Sequence, residues 1–204
     1  MSEIVVQKFG GTSVGTVDRI DSVAEIIKNA SKSNKIVVVV SAMGGETNRL
    51  VDLAKAFGDD PDKREFDALV STGETVSSAL LTMALHSKGV KAKSFSASQI
   101  SMRTTSSYSK AKILDVDAKK ILDVVDSDVI PIITGFQGVT EGGDVTTLGR
   151  GGSDTTAVAI AAQIEAIRCD IYTDVDGIFT TDPGVVANAK KLDSITMEEM
   201  LELA

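Results

Sequence analysis

Apolar residues along the chain fall into short unbroken runs that alternate with stretches of helical periodicity. Ile4–Val6 and Ile36–Val40 contain no polar alternation, which is typical of strands covered on both faces. Between these runs, apolar residues recur at helical spacing from Val17 to Ile27, and Thr16 is placed to cap that helix. The pattern predicts a strand–helix–strand unit at the N-terminus.

The same alternation continues along the rest of the chain. Further strands are predicted at Val90–Phe95, Val129–Thr134 and Ile171–Asp174, further helices at Glu65–Ser87 (with a break near Thr72-Gly73) and Ser153–Ile167, and a hairpin or mobile flap at Gly135–Leu148. This order predicts an α/β fold, a three-layer αβα sandwich with a mostly parallel central sheet, as one domain over residues 1–204. Ligands of such sheets bind at the carboxyl ends of the strands, where the Gly/Ser/Thr-rich turns fall.

The C-terminal segment resembles the beginning of a helix. Thr196 and Glu199 form a capping box, apolar residues follow, and the sequence given stops at Ala204. We expect that further sequence belongs to this domain. The alternative is a short docking helix that ends there.

Composition narrows the class of protein. The formal charge is −8, apolar residues make up 43% and aromatic residues 4%. The negative charge argues against nucleic acid and anionic membranes as partners, and the scarcity of aromatic residues favours a core of aliphatic strands. The single cysteine, Cys169, excludes an internal disulfide and is predicted to be a small core residue. With no signal-peptide pattern at the N-terminus, the expected compartment is the cytoplasm.

The first chemical signal is the turn after the first predicted strand, Lys8-Phe9-Gly10-Gly11. Glycines let the backbone approach a phosphate, the next helix aims N–H groups at it, and Lys8 adds a positive charge. A simple tight turn explains two adjacent glycines equally well. The glycine loops match neither the P-loop nor the dinucleotide-binding motif, so both of those interpretations are excluded.

The second signal is Gly149-Arg150-Gly151-Gly152-Ser153-Asp154. Ser153 is predicted to be a helix N-cap, and Asp154 in the first turn complements the helix dipole. Turn formation and capping explain the glycines and the serine. They do not explain Arg150, whose guanidinium can bind a carboxylate through two hydrogen bonds.

The motifs KFGGTSVG, SAMGG-TN, STGE, GFQGVT, TTLGRGGSDTTAVA, IYTDVDGIFTTDP and EEMLELA occur in an order that resembles the aspartokinase family over the whole chain. The resemblance implies ATP-dependent phosphorylation of the aspartate side-chain carboxylate, the first step toward lysine, threonine and methionine. ATP would bring Mg²⁺ with it, no metal site of the protein's own is expected, and the full-length protein is expected to be a homo-oligomer.

The resemblance also implies a role for individual residues. It assigns the phosphate side to Lys8, Gly10, Gly11 and Ser41, with Asp154 organising the catalytic lysines. It assigns the aspartate side to Thr47, Asn48, Glu74, Arg150, Gly151, Gly152 and Ser153. Within this set, Glu74 would pair with the amino group and Arg150 with the α-carboxylate. It assigns the adenine and ribose side to Thr173, Asp174, Phe179 and Asp182.

The chemistry suits these residue types. An aspartate carboxylate has an ordinary pKa near 4 and is already ionised at neutral pH, so phosphoryl transfer needs alignment and charge neutralisation rather than a general base. His86, the only histidine, is interpreted as a surface or boundary residue.

The sequence departs from the family pattern in three places. Gly184 stands where arginine is usual, Phe179 where tyrosine is common, and Ser101–Ser109 lacks an acidic residue, which puts nucleotide affinity in question. Because family members continue into a segment with another ATP-side lysine, this chain is predicted to bind aspartate and to turn over poorly. The alternatives are a related amino-acid or carbamate kinase, or a non-catalytic binding fragment.

Overall fold

In the computed structural model, the long apolar runs become the central strands of a parallel sheet. The structure describes residues 3–175, 177–181, 184–186 and 188–196. The strands within these residues are β1 (Ile4–Phe9), β2 (Lys35–Val40), β3 (Ala92–Phe95), β4 (Arg103–Thr104), β5 (Ile113–Asp115), β6 (Ile130–Thr134), β7 (Gln137–Val139), β8 (Val145–Thr147) and β9 (Arg168–Tyr172). The helices are α1 (Val17–Ala30), α2 (Glu46–Lys55), α3 (Lys63–Val70), α4 (Thr72–Ser87), α5 (Ala118–Asp126) and α6 (Gly152–Gln163).

Five of these strands form a parallel sheet in the order β3-β6-β2-β1-β9. One hydrophobic cluster lies on the face covered by α1 and α4, and a second lies on the face covered by α5 and α6. The predicted three-layer αβα arrangement with a mostly parallel sheet is therefore confirmed. All five strands point the same way, so their carboxyl ends lie along a single edge of the sheet.

A smaller sheet, in the order β5-β4-β7-β8, lies beyond the end of β6. Its β7 and β8 pair antiparallel with Gln137 opposite Thr147, so the hairpin predicted within Gly135–Leu148 is confirmed. The sequence pattern missed β4, β5, α2 and α5. Strands of two or three residues are too short to show a period, and α2 carries only Leu50 and Ala54 as buried residues.

The helical stretch predicted at Glu65–Ser87, with its break near Thr72, is confirmed as α3 followed directly by α4. Together they span 25 residues, Lys63–Ser87, and are long and apolar enough to cross a membrane by length and composition. Half of the most apolar part of this helical stretch is buried inside the protein, where Leu81 and Leu85 pack against the sheet. These contacts are typical of a core helix.

Two details of the predicted elements were wrong. Ser153 was predicted to cap the helix that follows the second glycine loop, but that helix, α6, begins at Gly152 with Gly151 as its N-cap in a left-handed conformation. Ser153 is a buried residue inside the helix instead. The last predicted strand starts three residues earlier than expected, because β9 pairs with β1 from Arg168 onward. Thr16 does cap α1, accepting a hydrogen bond from Arg19 N at 3.2 Å.

The chain divides into two compact units, Met1–Tyr172 and Thr173–Ala204. The second unit contains a short antiparallel pairing, in which Thr180 N donates to Lys190 O at 2.9 Å and Leu192 N donates to Ile178 O at 2.8 Å. Glu199 of the predicted capping box and the predicted nucleotide contact Asp182 lie outside the described residues.

Candidate active site

The carboxyl ends of β1, β2 and β6 bring the first glycine turn against the loop after β2. A side chain on Gly11 would place its Cβ 2.9 Å from Ala42 O, closer than real Cβ contacts come. Only glycine permits this approach of two backbones. Gly10 N, buried in the same turn, donates to Tyr172 O at 2.9 Å. The turn predicted to cradle phosphate is therefore fixed against the neighbouring strands.

Lys8 lies near the carboxyl end of β1, buried, with its ammonium directed at the helix that follows the second glycine loop. Its Nζ lies 2.7 Å from Asp154 Oδ1, and the two side chains are 8% and 46% exposed. Sequence reasoning named both residues, and the fold brings them together across about 145 residues of chain. A buried ammonium paired with a partly exposed carboxylate is a fixed positive charge at the edge where an anion would approach.

Glu74 lies in the first turn of α4 and is 3% exposed. Its Oε1 accepts a hydrogen bond from Ala42 N at 3.1 Å, while Oε2 is buried without a hydrogen-bond partner among the described residues. Burial raises the pKa of Glu74 to about 7, and the Ala42 N–H partly opposes that rise. An unpaired buried carboxylate oxygen is costly unless a ligand completes its hydrogen bonds, and an ammonium group would do so.

Gly73 lets α4 approach the loop after β2, in which Ala42 N donates its hydrogen bond to Glu74. A Cβ at position 73 would lie 2.8 Å from Ala42 Cβ, with Glu46 Cγ and Leu50 Cδ1 next at 3.5 Å. Ser77 strengthens the same junction, because its hydroxyl donates to Ser41 O at 2.7 Å. Predicted site residues Thr47 and Asn48 follow in α2, where Thr47 is half-buried and Asn48 exposed.

We expect Gly73→Ala to lower the free energy of unfolding by about 1–3 kcal/mol, because the added methyl group overpacks against Ala42. Removing the opposing methyl group in Gly73→Ala/Ala42→Gly should recover at least half of the loss. Urea denaturation measures both values. Gly142→Ala is the control, since its Cβ would meet only Thr140 Oγ1 at 3.7 Å. A double variant no more stable than Gly73→Ala would contradict the packing argument.

The second glycine loop joins β8 to α6 through Gly149 and Gly151, at φ +83 and +68. Arg150, between them, is exposed and has no hydrogen bond or ion pair with any described residue, so its guanidinium is available to a ligand. Ser153 lies against the end of β6, since a Cβ on Gly135 would come within 2.6 Å of Ser153 Oγ. The loop therefore presents Arg150 beside the carboxyl edge of the sheet.

The predicted adenine and ribose contacts lie in the second unit. Thr173 Oγ1 donates to Asp174 Oδ1 at 3.2 Å, and Phe179 pairs with Lys191 in an isolated β-bridge. Gly184 lies in a turn of the same unit.

Sequence reasoning missed a buried polar framework behind the site. Asp67 on α3 is fully buried, and Gln137 accepts from Thr134 Oγ1 at 2.9 Å while donating through Nε2 to Ser71 O. The sequence held no clear signal for Asp67, because positions 67, 70, 71 and 74 form one helical stripe that is buried in the structure, yet only Val70 among them is apolar. A charged residue on such a stripe needs partners from elsewhere in the fold.

Two other sequence expectations can be placed. His86 is exposed on α4, and its Nε2 lies 2.7 Å from Ala92 O, so it is a surface residue far along the helix from Glu74. Cys169 is half-buried on β9, and burial raises the pKa of its thiol. Among the described residues, no three His, Cys, Asp or Glu side chains are grouped so that they could hold a metal ion.

A parallel sheet with glycine turns, a buried lysine and a carboxylate oxygen without a described partner at one edge is suited to a phosphate and a small charged molecule. The sequence profile of the amino acid kinase family matches residues 3–204, and the chain belongs to this family.

Within that family its similarity is to aspartate kinases. The chain is 57% identical over 202 residues to an aspartate kinase of Stutzerimonas stutzeri, a match that covers 98% of this chain and 49% of that relative. The solved aspartate kinase from Synechocystis superposes with a TM-score of 0.87 at 46% identity, covering 98% of this chain and 33% of that one. E. coli aspartokinase III, solved in complex with aspartate and ADP, has a TM-score of 0.84 at 33% identity, covering 94% and 54%.

These matches confirm the resemblance seen in the motifs. The chain spans about half the length of the curated relatives it matches.

Proposed function

We propose that this chain is the catalytic domain of an aspartate kinase, which transfers the γ-phosphoryl group of ATP to the side-chain carboxylate of L-aspartate. The observation that carries the proposal is the buried Oε2 of Glu74 at the carboxyl edge of the sheet, where the loop that carries Arg150 also lies. Neither Oε2 nor the Arg150 guanidinium has a partner among the described residues. An ammonium group would complete the hydrogen bonding of Glu74, and an α-carboxylate would neutralise Arg150. A zwitterionic amino acid carries both groups.

Lys8 supplies the charge for phosphoryl transfer. Its ammonium is held by Asp154 at 2.7 Å and lies beside the Gly10-Gly11 turn. The Gly10 N–H is engaged by Tyr172 O, and we propose that the backbone N–H groups that follow it donate to phosphate oxygens. The aspartate carboxylate attacks the γ-phosphorus, the bond to the β-phosphate oxygen breaks, and the products are 4-phospho-aspartate and ADP. Mg²⁺ would enter with the nucleotide, held mainly by phosphate oxygens and water.

The second unit is proposed to contribute the nucleotide side through Thr173, Asp174, Phe179 and Asp182. We further propose a cytoplasmic enzyme that acts as a homo-oligomer in its full-length form, at the entry to lysine, threonine and methionine synthesis. The isolated chain, which spans about half the length of its curated relatives, should bind aspartate and turn over slowly.

The test is an assay with Mg-ATP, aspartate and hydroxylamine, which converts an acyl phosphate into a hydroxamate. We expect aspartyl hydroxamate at a rate well below that of a full-length aspartate kinase, together with ADP. Glutamate and UMP should release no ADP above the background. Product with glutamate but not with aspartate would refute the substrate. Full specific activity would refute the slow turnover, and a chain that neither binds aspartate nor forms product would refute the enzyme assignment.

A further inference from the structure

Asp67 is a fully buried carboxylate in the middle of α3, outside the group of residues assigned to substrate or phosphate. Its Oδ2 accepts hydrogen bonds from Ser109 N and Thr147 N, each at 2.8 Å. Its Oδ1 accepts from the hydroxyl groups of Thr147 at 2.9 Å and Ser109 at 3.1 Å. Four neutral donors from two separate segments therefore surround one negative charge.

This arrangement joins three pieces of the structure through one side chain. Ser109 lies in the loop between β4 and β5 and adopts a left-handed backbone with φ +65, which is uncommon for a residue other than glycine. Thr147 ends β8, and its carbonyl accepts from Ala111 N at 2.9 Å. No ion pair between Asp67 and a described cation is present, so these hydrogen bonds alone compensate for its burial.

The anchored segments lead directly to Arg150. Thr147 is three residues before Arg150, and the intervening Gly149 is so close to Ser109 that a Cβ there would lie 3.3 Å from Ser109 O. With Thr147 and Ser109 both held by Asp67, the start of the Gly149–Gly152 loop is fixed relative to α3.

On its C-terminal side, α3 is followed directly by α4, which carries Glu74. Asp67 and Glu74 are seven residues apart, two helical turns along one buried stripe of α3 and α4. The junction between these helices is tied to the hairpin a second time, because Gln137 Nε2 donates to Ser71 O. The hydrogen bonds of Asp67 and Gln137 thus fix both the α3–α4 junction and the start of the Gly149–Gly152 loop.

We propose that Asp67 is a positioning residue that fixes the separation between the Glu74 carboxylate and the Arg150 guanidinium. In this way it sets the preference for a substrate that carries an ammonium and a carboxylate on one carbon atom. The inference rests on the proposed function, since it concerns the binding of the aspartate zwitterion.

The test is a double-substitution cycle on aspartate affinity, measured by calorimetry with the unsubstituted chain, Asp67→Asn, Arg150→Ala and the double variant. An asparagine amide would point its own N–H groups at the donors of Ser109 and Thr147, so the loop should move. We expect Asp67→Asn to weaken aspartate binding about tenfold in the presence of Arg150 and less than about twofold in its absence. Affinity for Mg-ADP should change less than about twofold in every variant.

Asp126→Asn is the matched control, an aspartate whose Oδ1 is held by Lys35 at 2.6 Å at the other end of the sheet. It should leave both affinities unchanged. If Asp67→Asn does not fold, Ser109→Ala, which removes one of the four donors, should show the same coupling to Arg150→Ala at a smaller size.

Additive effects of the substitutions at 67 (or 109) and 150, or equal losses of aspartate and nucleotide affinity, would overturn this inference alone. Absence of aspartate binding by the unsubstituted chain would overturn the proposed function and this inference with it.

Discussion

Replacing Lys8 by methionine is expected to lower the rate of phosphoryl transfer about a thousandfold and to leave aspartate affinity within about threefold. The ammonium is 2.7 Å from Asp154 and is the buried positive charge nearest the Gly10-Gly11 turn in the described site. Methionine keeps the length and apolar stem of the side chain, so the strand retains its packing. In the proposed function, Glu74 and Arg150 bind aspartate, so an unchanged aspartate affinity would show that the substitution leaves that part of the site intact.

The rate is measured in single turnovers, with chain in excess over ATP, so that slow turnover does not hide the effect. Lys35→Met is the matched control. Lys35 also forms an ion pair of similar length, with its Nζ 2.6 Å from Asp126 Oδ1, but at the amino ends of the strands, opposite the site. It should change the rate less than about twofold. Equal losses in the two variants, or a Lys8→Met chain that retains its rate, would rule out a role for Lys8 in phosphoryl transfer.

Replacing Glu74 by glutamine is expected to weaken aspartate binding about 30-fold at pH 8, because a charge-assisted hydrogen bond to the substrate ammonium is lost. The effect should shrink at lower pH. Burial raises the pKa of Glu74 to about 7, so the free protein carries a neutral carboxyl group below that pH, and its aspartate affinity falls toward that of the variant. Binding to the unsubstituted chain near pH 6.5 should release a proton, detected by calorimetry in buffers of different ionisation enthalpy.

Glu74→Gln, which should weaken aspartate binding at pH 8, should at the same pH increase the stability of the fold. Because the pKa of Glu74 is raised from 4.5 to about 7, the folded state holds a proton that the unfolded state has lost between these values. The free energy of unfolding contributed by Glu74 is therefore highest below about pH 4.5 and falls as pH rises toward 7. Glutamine does not ionise, so the stability of Glu74→Gln relative to the unsubstituted chain should rise by about 3 kcal/mol from pH 4 to pH 8.

Urea denaturation at several pH values measures this difference. Glu25→Gln is the control, an exposed carboxylate on α1 that lies 3.2 Å from Lys88 Nζ. It should show neither the affinity loss nor the pH-dependent gain in stability. An aspartate affinity that does not depend on pH between 6 and 8 in the unsubstituted chain would contradict an ammonium contact with Glu74.

Several local features followed from sequence because neighbouring residues decide them. The runs Ile4–Val6 and Ile36–Val40 predicted buried parallel strands, and Thr16 predicted the start of α1. The break between α3 and α4 and the β7–β8 hairpin were also visible in the order of glycines and apolar residues. Periodicity within 10 to 20 residues carries this information.

The N-terminus of α6 shows where local reasoning fails. Serine is a preferred N-cap, and Ser153 follows two glycines, yet the N-cap is Gly151, two residues earlier, and Ser153 packs against Gly135. The contact of Ser153 with the end of β6 decides where the first turn of α6 lies. The residues next to Ser153 in the sequence do not reveal this contact. Tertiary packing overrides a capping preference of about 1 kcal/mol.

The sequence by itself determined the order of strands and helices, the glycine turns at the strand ends and the identity of Lys8, Glu74, Arg150 and Asp154 as residues of interest. Only the tertiary structure decided that Lys8 reaches Asp154, that Glu74 is buried with one oxygen unpaired, and that Asp67 ties α3 to Ser109 and Thr147. These contacts join residues roughly 30 to 145 positions apart. Burial and pairing at such distances depend on how the layers pack, and desolvation, which sets the pKa of Glu74, exists only once they have packed.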